Sequence, residues 1–130
     1  MKKVSFDFDD TLSYESVQKY AEQLIDLGIE IHITTSRFED LSKYLPTVWP
    51  NGHGDLFEVA KKLYVPNERI HFTNFVDKWE FLKDTDFIWH LDDNPMELLF
   101  INQNTKVKGI YSLNGDWIYN CNKLLNIETE

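Results

Sequence analysis

Three aspartates follow a short apolar segment near the start of the chain. Residues 4–6 have the β-branched and aromatic composition of a buried strand, and Asp7, Asp9 and Asp10 come directly after it. Carboxylates crowded at one strand end raise one another's pKa unless a cation neutralises them. Hard oxygen ligands suit Mg²⁺, which completes its octahedral shell with water and phosphate oxygens. A solvated acidic turn is the alternative for this segment taken alone, so the hypothesis depends on matching residues downstream.

A second acidic pair supplies that match. Asp92 and Asp93 end another apolar segment, residues 87–91. One Mg²⁺ held between the two acidic strand ends would neutralise both groups, which requires the two strands to be neighbours in a sheet. The alternative for Asp93 is a cap of the following helix, although Asn94 is the better cap.

Two further polar residues are candidates for binding a phosphate group. Thr35 closes a predicted strand, where its hydroxyl and nearby backbone N–H groups at a helix N-terminus could bind a phosphate oxygen. Lys78 falls in the first turn of a predicted helix, where the helix dipole disfavours a cation unless it faces anions. The alternatives are a threonine that satisfies local backbone and an ordinary surface lysine.

Alternating strands and helices would position these residues. We predict strands at 4–6, 29–35, 70–73, 87–91 and 107–113, and helices at 14–27, 36–45, from Asp55, 78–83, from Asn94, and 116–125. Three helix starts are predicted from capping patterns, namely Ser36/Glu39, Asp55/Glu58 and Asp77/Glu80. This alternation is typical of an α/β fold with a parallel sheet, whose ligand crevice lies at the carboxyl ends of the strands.

Composition narrows the class of protein. The 130 residues are enough for a single domain (1–130), and no apolar run is long enough to span a membrane. Cys121 is the lone cysteine, which fits a reducing, cytoplasmic location and is expected to be a small buried side chain. A formal net charge of −9 does not favour nucleic acid as a partner, without excluding it.

The ordered motifs resemble those of the haloacid dehalogenase (HAD) superfamily. They are Asp7-Phe8-Asp9-Asp10-Thr11, Thr35 within 33–37, Lys78, and Asp92-Asp93, and they span about residues 2–95. The resemblance implies a three-layer α/β/α sandwich with a five-stranded parallel, Rossmann-like sheet. The chain has no room for an inserted cap domain, because the segments between the motifs hold only the predicted helices and strand.

The resemblance also implies a function, a Mg²⁺-dependent phosphomonoester hydrolase. Asp7 would be the nucleophile that forms an aspartyl phosphate, and Asp9 the general acid and then base. Thr35 and Lys78 would hold the phosphoryl oxygens.

For the metal, the resemblance implies Asp92 and Asp93 as ligands of Mg²⁺. The carboxylate of Asp7 and the main-chain carbonyl of Asp9 would complete the protein's share of the ligand set.

A capless site is expected to be open to a phosphorylated small molecule or macromolecule. Within the family, capless members act on large substrates or borrow a lid from another subunit. The sequence therefore leaves open whether the protein forms a homo-oligomer. Loops at the carboxyl edge carry specificity, and the candidate substrate contacts there are Arg37, His53, Trp49 and Trp117.

Two other function classes compete with the hydrolase. A HAD-like module could bind a phosphorylated ligand or a protein without turnover. A phospho-acceptor signalling domain also has an acidic pocket, a threonine and a lysine, but its phosphorylated aspartate follows the third strand. Residues 70–74 contain no aspartate, which disfavours that class.

Overall fold

The protein forms one five-stranded parallel sheet with helices between successive strands. The computed structural model describes residues 1–41 and 52–129. The strands are β1 (Lys3–Phe6), β2 (Glu30–Thr35), β3 (Ile70–Phe72), β4 (Trp89–Asp92) and β5 (Lys108–Tyr111). The helices are α1 (Glu15–Asp26), α2 (Gly54–Lys62), α3 (Lys78–Leu82), α4 (Pro95–Asn104) and α5 (Trp117–Leu125). The predicted parallel α/β fold is confirmed, with strand limits shifted by a few residues.

The strand order places the two acidic segments side by side. The order is β3-β2-β1-β4-β5, with every neighbouring pair parallel. β2 and β3 extend the sheet on one side of β1, and β4 and β5 extend it on the other side. The switch point of the sheet therefore lies between β1 and β4, where the carboxyl ends form a crevice. Phe6 pairs with Leu91, so Asp7 and Asp92 follow together at that crevice.

The two faces of the sheet carry different side chains because residues alternate along each strand. One face is aliphatic and aromatic and packs on α1, α2 and α5 in the larger core, which includes Phe6, Ile33 and Trp89. The other face carries Ser5, Thr34 and other polar residues and adjoins a smaller core around α3 and α4. Buried Cys121 lies in the larger core, as predicted.

Two large apolar side chains on or beside the helices, Leu27 and Phe57, are exposed. Leu27 lies just past the end of α1, where Gly28 turns the chain with φ +81°. Phe57 lies on α2 beside Leu56, whose side chain faces the core. In the described ranges no inserted cap domain occurs, and no helix is long and apolar enough to cross a membrane.

The predicted helix at 36–45 does not begin at Ser36. The carbonyl of Ser36 accepts from the N–H of Phe75 at 2.8 Å, and that of Arg37 accepts from the N–H of Asn74 at 3.2 Å. These carbonyls would otherwise accept helical bonds four residues on. Asn74 and Phe75 form a tight turn with φ of +55° and +61°, so two neighbouring loops are hydrogen-bonded to each other. Residues 42–45 of the predicted helix lie outside the described part of the chain.

The predicted caps at Asp55 and Asp77 are also wrong, whereas the predicted cap at Asn94 is confirmed. Asp77 makes no side-chain cap bond, and Asp55 lies within the first turn of α2, where it accepts the Leu56 N–H at 2.8 Å instead of capping the helix. The α3 amide of Lys78 donates to a carboxylate oxygen of Glu97, which comes from α4, at 3.1 Å. The side chain of Asn94 accepts from the amides of Met96 and Glu97, and Pro95 begins α4 as predicted.

Close packing of α4 on β5 can be tested at Gly109. A Cβ at this position would lie 2.9 Å from Leu98 Cδ2 and 3.3 Å from the Leu98 carbonyl oxygen. We expect Gly109→Ala to lower the free energy of unfolding by about 1–2 kcal/mol, because the helix must shift. Urea denaturation measures this change. Gly115→Ala is the matched control, since a Cβ there meets nothing within 4 Å; equal stability of the two variants would contradict the packing argument.

Candidate functional site

A buried lysine joins the two acidic segments at the switch point. Lys78 is the first residue of α3 and is 2% exposed. Its Nζ donates to Asp7 Oδ1 at 2.8 Å and to Asp92 Oδ2 at 2.6 Å. The bond from its backbone N–H to Glu97 fixes the start of α3, and therefore the root of this side chain. The lysine that we predicted to face anions does so.

The charges in this cluster do not balance. Burial alone would lower the pKa of Lys78, but Asp7 and Asp92 outweigh it and raise the pKa above its ordinary value. Burial raises the pKa of Asp7, and the charge of Asp92 adds to this effect against the pull of Lys78. For Asp92, the hydrogen bond from His90 and the charge of Lys78 overcome burial and lower the pKa. One ammonium thus faces two carboxylates, and a further cation would complete the neutralisation.

The turn after β1 orients Asp7. Residues Phe8–Leu12 form a single helical turn that is interrupted at Asp9 and at Asp10, whose φ is +58°. Aspartate tolerates this left-handed conformation better than most residues. The turn brings the Thr11 hydroxyl back to Asp7 Oδ2 at 3.1 Å, with Asp93 Oδ1 at 3.4 Å. Both oxygens of Asp7 therefore accept a hydrogen bond.

A buried polar chain supports Asp92 from beneath the site. His90 Nε2 lies 2.8 Å from Asp92 Oδ2, and His90 Nδ1 lies 2.9 Å from Ser5 Oγ. Ser5 Oγ in turn lies 2.7 Å from Thr34 Oγ1. Burial lowers the pKa of His90, which favours the neutral ring, so we assign the Nε2 proton to the bond with Asp92. His90 is fully buried within β4.

Three carboxylates are close enough to share a metal ion. Asp7, Asp92 and Asp93 each offer an oxygen within 4.8 Å of the other two. Together these three carboxylates could hold a divalent cation, which would offset their negative charge. An all-oxygen donor set with excess negative charge fits a hard divalent cation. The side chain of Asp9 lies outside this group, and the predicted ligand role of its main-chain carbonyl stays a prediction.

Arg37 lies inside the site rather than on its rim. It is 2% exposed, and its guanidinium donates to both oxygens of Asp9 at 2.9 and 2.7 Å. It also donates to both oxygens of Asp55 at 2.9 Å and lies 5.1 Å from the ring centre of Phe8. The structure thus places Arg37 as a link between two carboxylates, and its predicted contact with substrate stays a prediction.

The other predicted contacts are mostly enclosed. His53 is buried, with Nε2 2.7 Å from the Phe38 carbonyl oxygen and Nδ1 3.4 Å from Arg37 Nη1. Thr35 is buried at the carboxyl end of β2, and its hydroxyl accepts from the Arg37 N–H at 3.3 Å. Because no helix begins at Ser36, the helix-dipole argument for phosphate binding at Thr35 is wrong.

The two tryptophans predicted to contact substrate, Trp49 and Trp117, add no described contact at the site. Trp117 packs edge-on against Tyr20, with ring centres 5.1 Å apart, in the larger core. Trp49 lies outside the described residues.

Some site residues escaped the sequence analysis. His90 and Asp92 alternate on one strand and share a face, so their contact follows from strand periodicity once Asp92 is a candidate. Thr11 was part of the first motif but had no assigned role. Asp55 and Glu97 lie in the first turns of α2 and α4, and no signal in the sequence identifies their distant partners.

Comparisons with known proteins do not assign a family. No family model matches the chain, and no curated protein matches it. The fold is similar to the crystal structure of an uncharacterized protein from Corynebacterium glutamicum, with 11% identity and a TM-score of 0.49. That match covers 100% of this chain and 98% of the other. Similarity at this level carries no information about function, so the interpretation depends on the site itself.

Replacing the buried lysine tests its role in charge balance. Lys78→Met leaves Asp7 and Asp92 buried without their cation, so we expect the free energy of unfolding to fall by about 3–5 kcal/mol. Chemical denaturation measures the change. The loss should shrink as the pH is lowered, because protonation removes the repulsion between the carboxylates.

The matched control is Lys83→Met at the end of the same helix. Lys83 is exposed, with its ammonium 5.5 Å from the ring centre of Trp79, and its replacement should cost less than about 1 kcal/mol. If both variants were equally stable, the buried cluster would not need its ammonium group.

Proposed function

We propose that the protein is a Mg²⁺-dependent phosphomonoester hydrolase that works through an aspartyl phosphate on Asp7. The observation that carries the proposal is the position of the Lys78 ammonium, 2.8 Å from Asp7 and 2.6 Å from Asp92 at the switch point of the sheet. A carboxylate that attacks an anionic phosphate meets charge repulsion, and an adjacent cation reduces it. A buried lysine held by this nucleophile meets that requirement.

The residues divide the first chemical step between them. An oxygen of Asp7 attacks phosphorus, and the bond from phosphorus to the leaving oxygen breaks. Asp9, two residues along the turn, donates a proton to that oxygen. Lys78 and the Thr11 hydroxyl orient the two oxygens of Asp7. Thr35 and Lys78 are the proposed contacts to the phosphoryl oxygens.

The carboxylates of Asp7, Asp92 and Asp93 would hold the metal ion. When bound, Mg²⁺ supplies positive charge that stabilises the phosphoryl oxygens in the transition state. Asp92 is kept ionised by Lys78 and by the bond from His90, so it is ready to serve as a ligand. Backbone support comes from the N–H of Asn94, which donates to Asp92 Oδ1 at 3.1 Å.

The substrate is proposed to be a phosphorylated small molecule or macromolecule that enters an open site. The described residues contain no inserted cap that would enclose it. The net charge of −9 favours esters with little additional negative charge over polynucleotide ends.

Phosphate release from a panel of monoesters tests the reaction. With Mg²⁺ present we expect release from at least one sugar phosphate, nucleotide, phosphopeptide or polynucleotide 3′- or 5′-end, and none with a chelator. Asp7→Asn should lower the rate at least about 10³-fold, because the nucleophile is lost.

Asp10→Asn is the matched control for this experiment. It makes the same change in charge in the same turn, and asparagine also tolerates a φ of +58°. It should keep the activity of the unaltered protein. Full activity of Asp7→Asn would exclude Asp7 as nucleophile, and undiminished activity in chelator would exclude the metal. If no ester released phosphate, a binding module would be the better assignment.

A further inference from the structure

The guanidinium of Arg37 connects Asp9 to helix α2. Its Nε and Nη2 donate to Asp9 Oδ2 and Oδ1, at 2.9 and 2.7 Å. Its Nη1 and Nη2 donate to Asp55 Oδ1 and Oδ2, both at 2.9 Å. A two-bond pair on each side fixes the plane of the guanidinium as well as its position. The orientation of the Asp9 carboxylate is therefore set from α2.

Other contacts hold Arg37 in place. The guanidinium lies over the Phe8 ring, Nη1 faces His53, and the backbone N–H bonds to the Thr35 hydroxyl. Arg37 is 2% exposed, whereas the side chain of Asp9 is 49% exposed. The arginine thus lies on the inner side of the pair and the carboxylate on the outer side. Each carboxylate oxygen has two lone pairs, and the pair with Arg37 occupies one on each.

The pair with Arg37 fixes both oxygens of Asp9 and leaves a lone pair on each that can accept a proton. We propose that Arg37 and Asp55 are positioning residues that hold Asp9 as the base for breakdown of the aspartyl phosphate. This inference rests on the proposed hydrolase function. Asp55 touches none of the reacting atoms and acts only through Arg37.

The step that these residues serve is the attack of water. The water oxygen forms a bond to phosphorus while the bond from phosphorus to the Asp7 oxygen breaks, and its electron pair returns to the Asp7 carboxylate. The water proton passes to Asp9. Inorganic phosphate leaves, and the proton on Asp9 is available for the leaving oxygen of the next substrate. A misplaced Asp9 would slow this half-reaction.

Rapid mixing with 4-nitrophenyl phosphate and Mg²⁺ separates the two halves of the reaction. Nitrophenolate leaves without needing a proton, so its release reports formation of the aspartyl phosphate. We expect Asp55→Asn to show a burst of about one nitrophenolate per site, followed by a steady-state rate about 10- to 100-fold below that of the unaltered protein. The burst appears because attack of water becomes the slow step.

Two further variants complete the design. Glu58→Gln, an exposed position on the same helix, should leave the time course unchanged. Arg37→Lys keeps the positive charge but lacks the planar guanidinium that makes two hydrogen bonds to each carboxylate, so it should reproduce the burst. It also serves as the second test if Asp55→Asn does not fold, although 59% exposure of the Asp55 side chain favours folding.

The outcomes distinguish this inference from the proposed function. If the unaltered protein hydrolyses the ester but Asp55→Asn shows an unchanged rate, or a loss without a burst, the positioning role is wrong. A loss without a burst would mean slower formation of the aspartyl phosphate or fewer active molecules, rather than slower attack of water. If the unaltered protein forms no nitrophenolate and releases no phosphate from any ester, the proposed function fails, and the positioning role with it.

Discussion

The structure depends on one buried ammonium group between two buried carboxylates. Removing these ions from water costs several kcal/mol for each, and the cost is recovered only when every remaining donor and acceptor is satisfied. Thr11 in the turn after β1, His90 on β4, and Asn94 and Glu97 at the start of α4 make further hydrogen bonds to Lys78, Asp7 and Asp92. The switch point of the sheet is the place where those segments converge.

This requirement explains why the two faces of the sheet differ. The face toward α3 and α4 carries a hydrogen-bonded row of Ser5, Thr34 and His90, where aliphatic residues would pack more simply. Polar groups on this face support Asp92 but reduce the apolar area that the smaller core can bury. The larger core on the opposite face therefore supplies most of the hydrophobic stabilisation.

The sequence predicted the parts of the fold that depend on local patterns. Strand–helix alternation, the Asn94-Pro95 helix start and the meeting of Asp7 with Asp92 all follow from residue type and spacing. The acidic caps failed because a carboxylate near a helix start can bind a local amide or a distant side chain. Asp55 binds Arg37, 18 residues away, and Glu97 binds the Lys78 amide, 19 residues away. A pattern that spans four residues contains no information on such partners.

The hydrogen bonds between the loops after β2 and β3 also bear on how the chain can be engineered. Ser36 and Arg37 accept from the amides of Phe75 and Asn74, so either loop is held by the other. A reporter domain inserted in one loop would break this pairing and shift Lys78, three residues after Phe75. The turn at 83–86, at the opposite edge of the sheet and mostly exposed, is a better insertion point. Insertions should therefore be tolerated better at the amino ends of the strands than at their carboxyl ends.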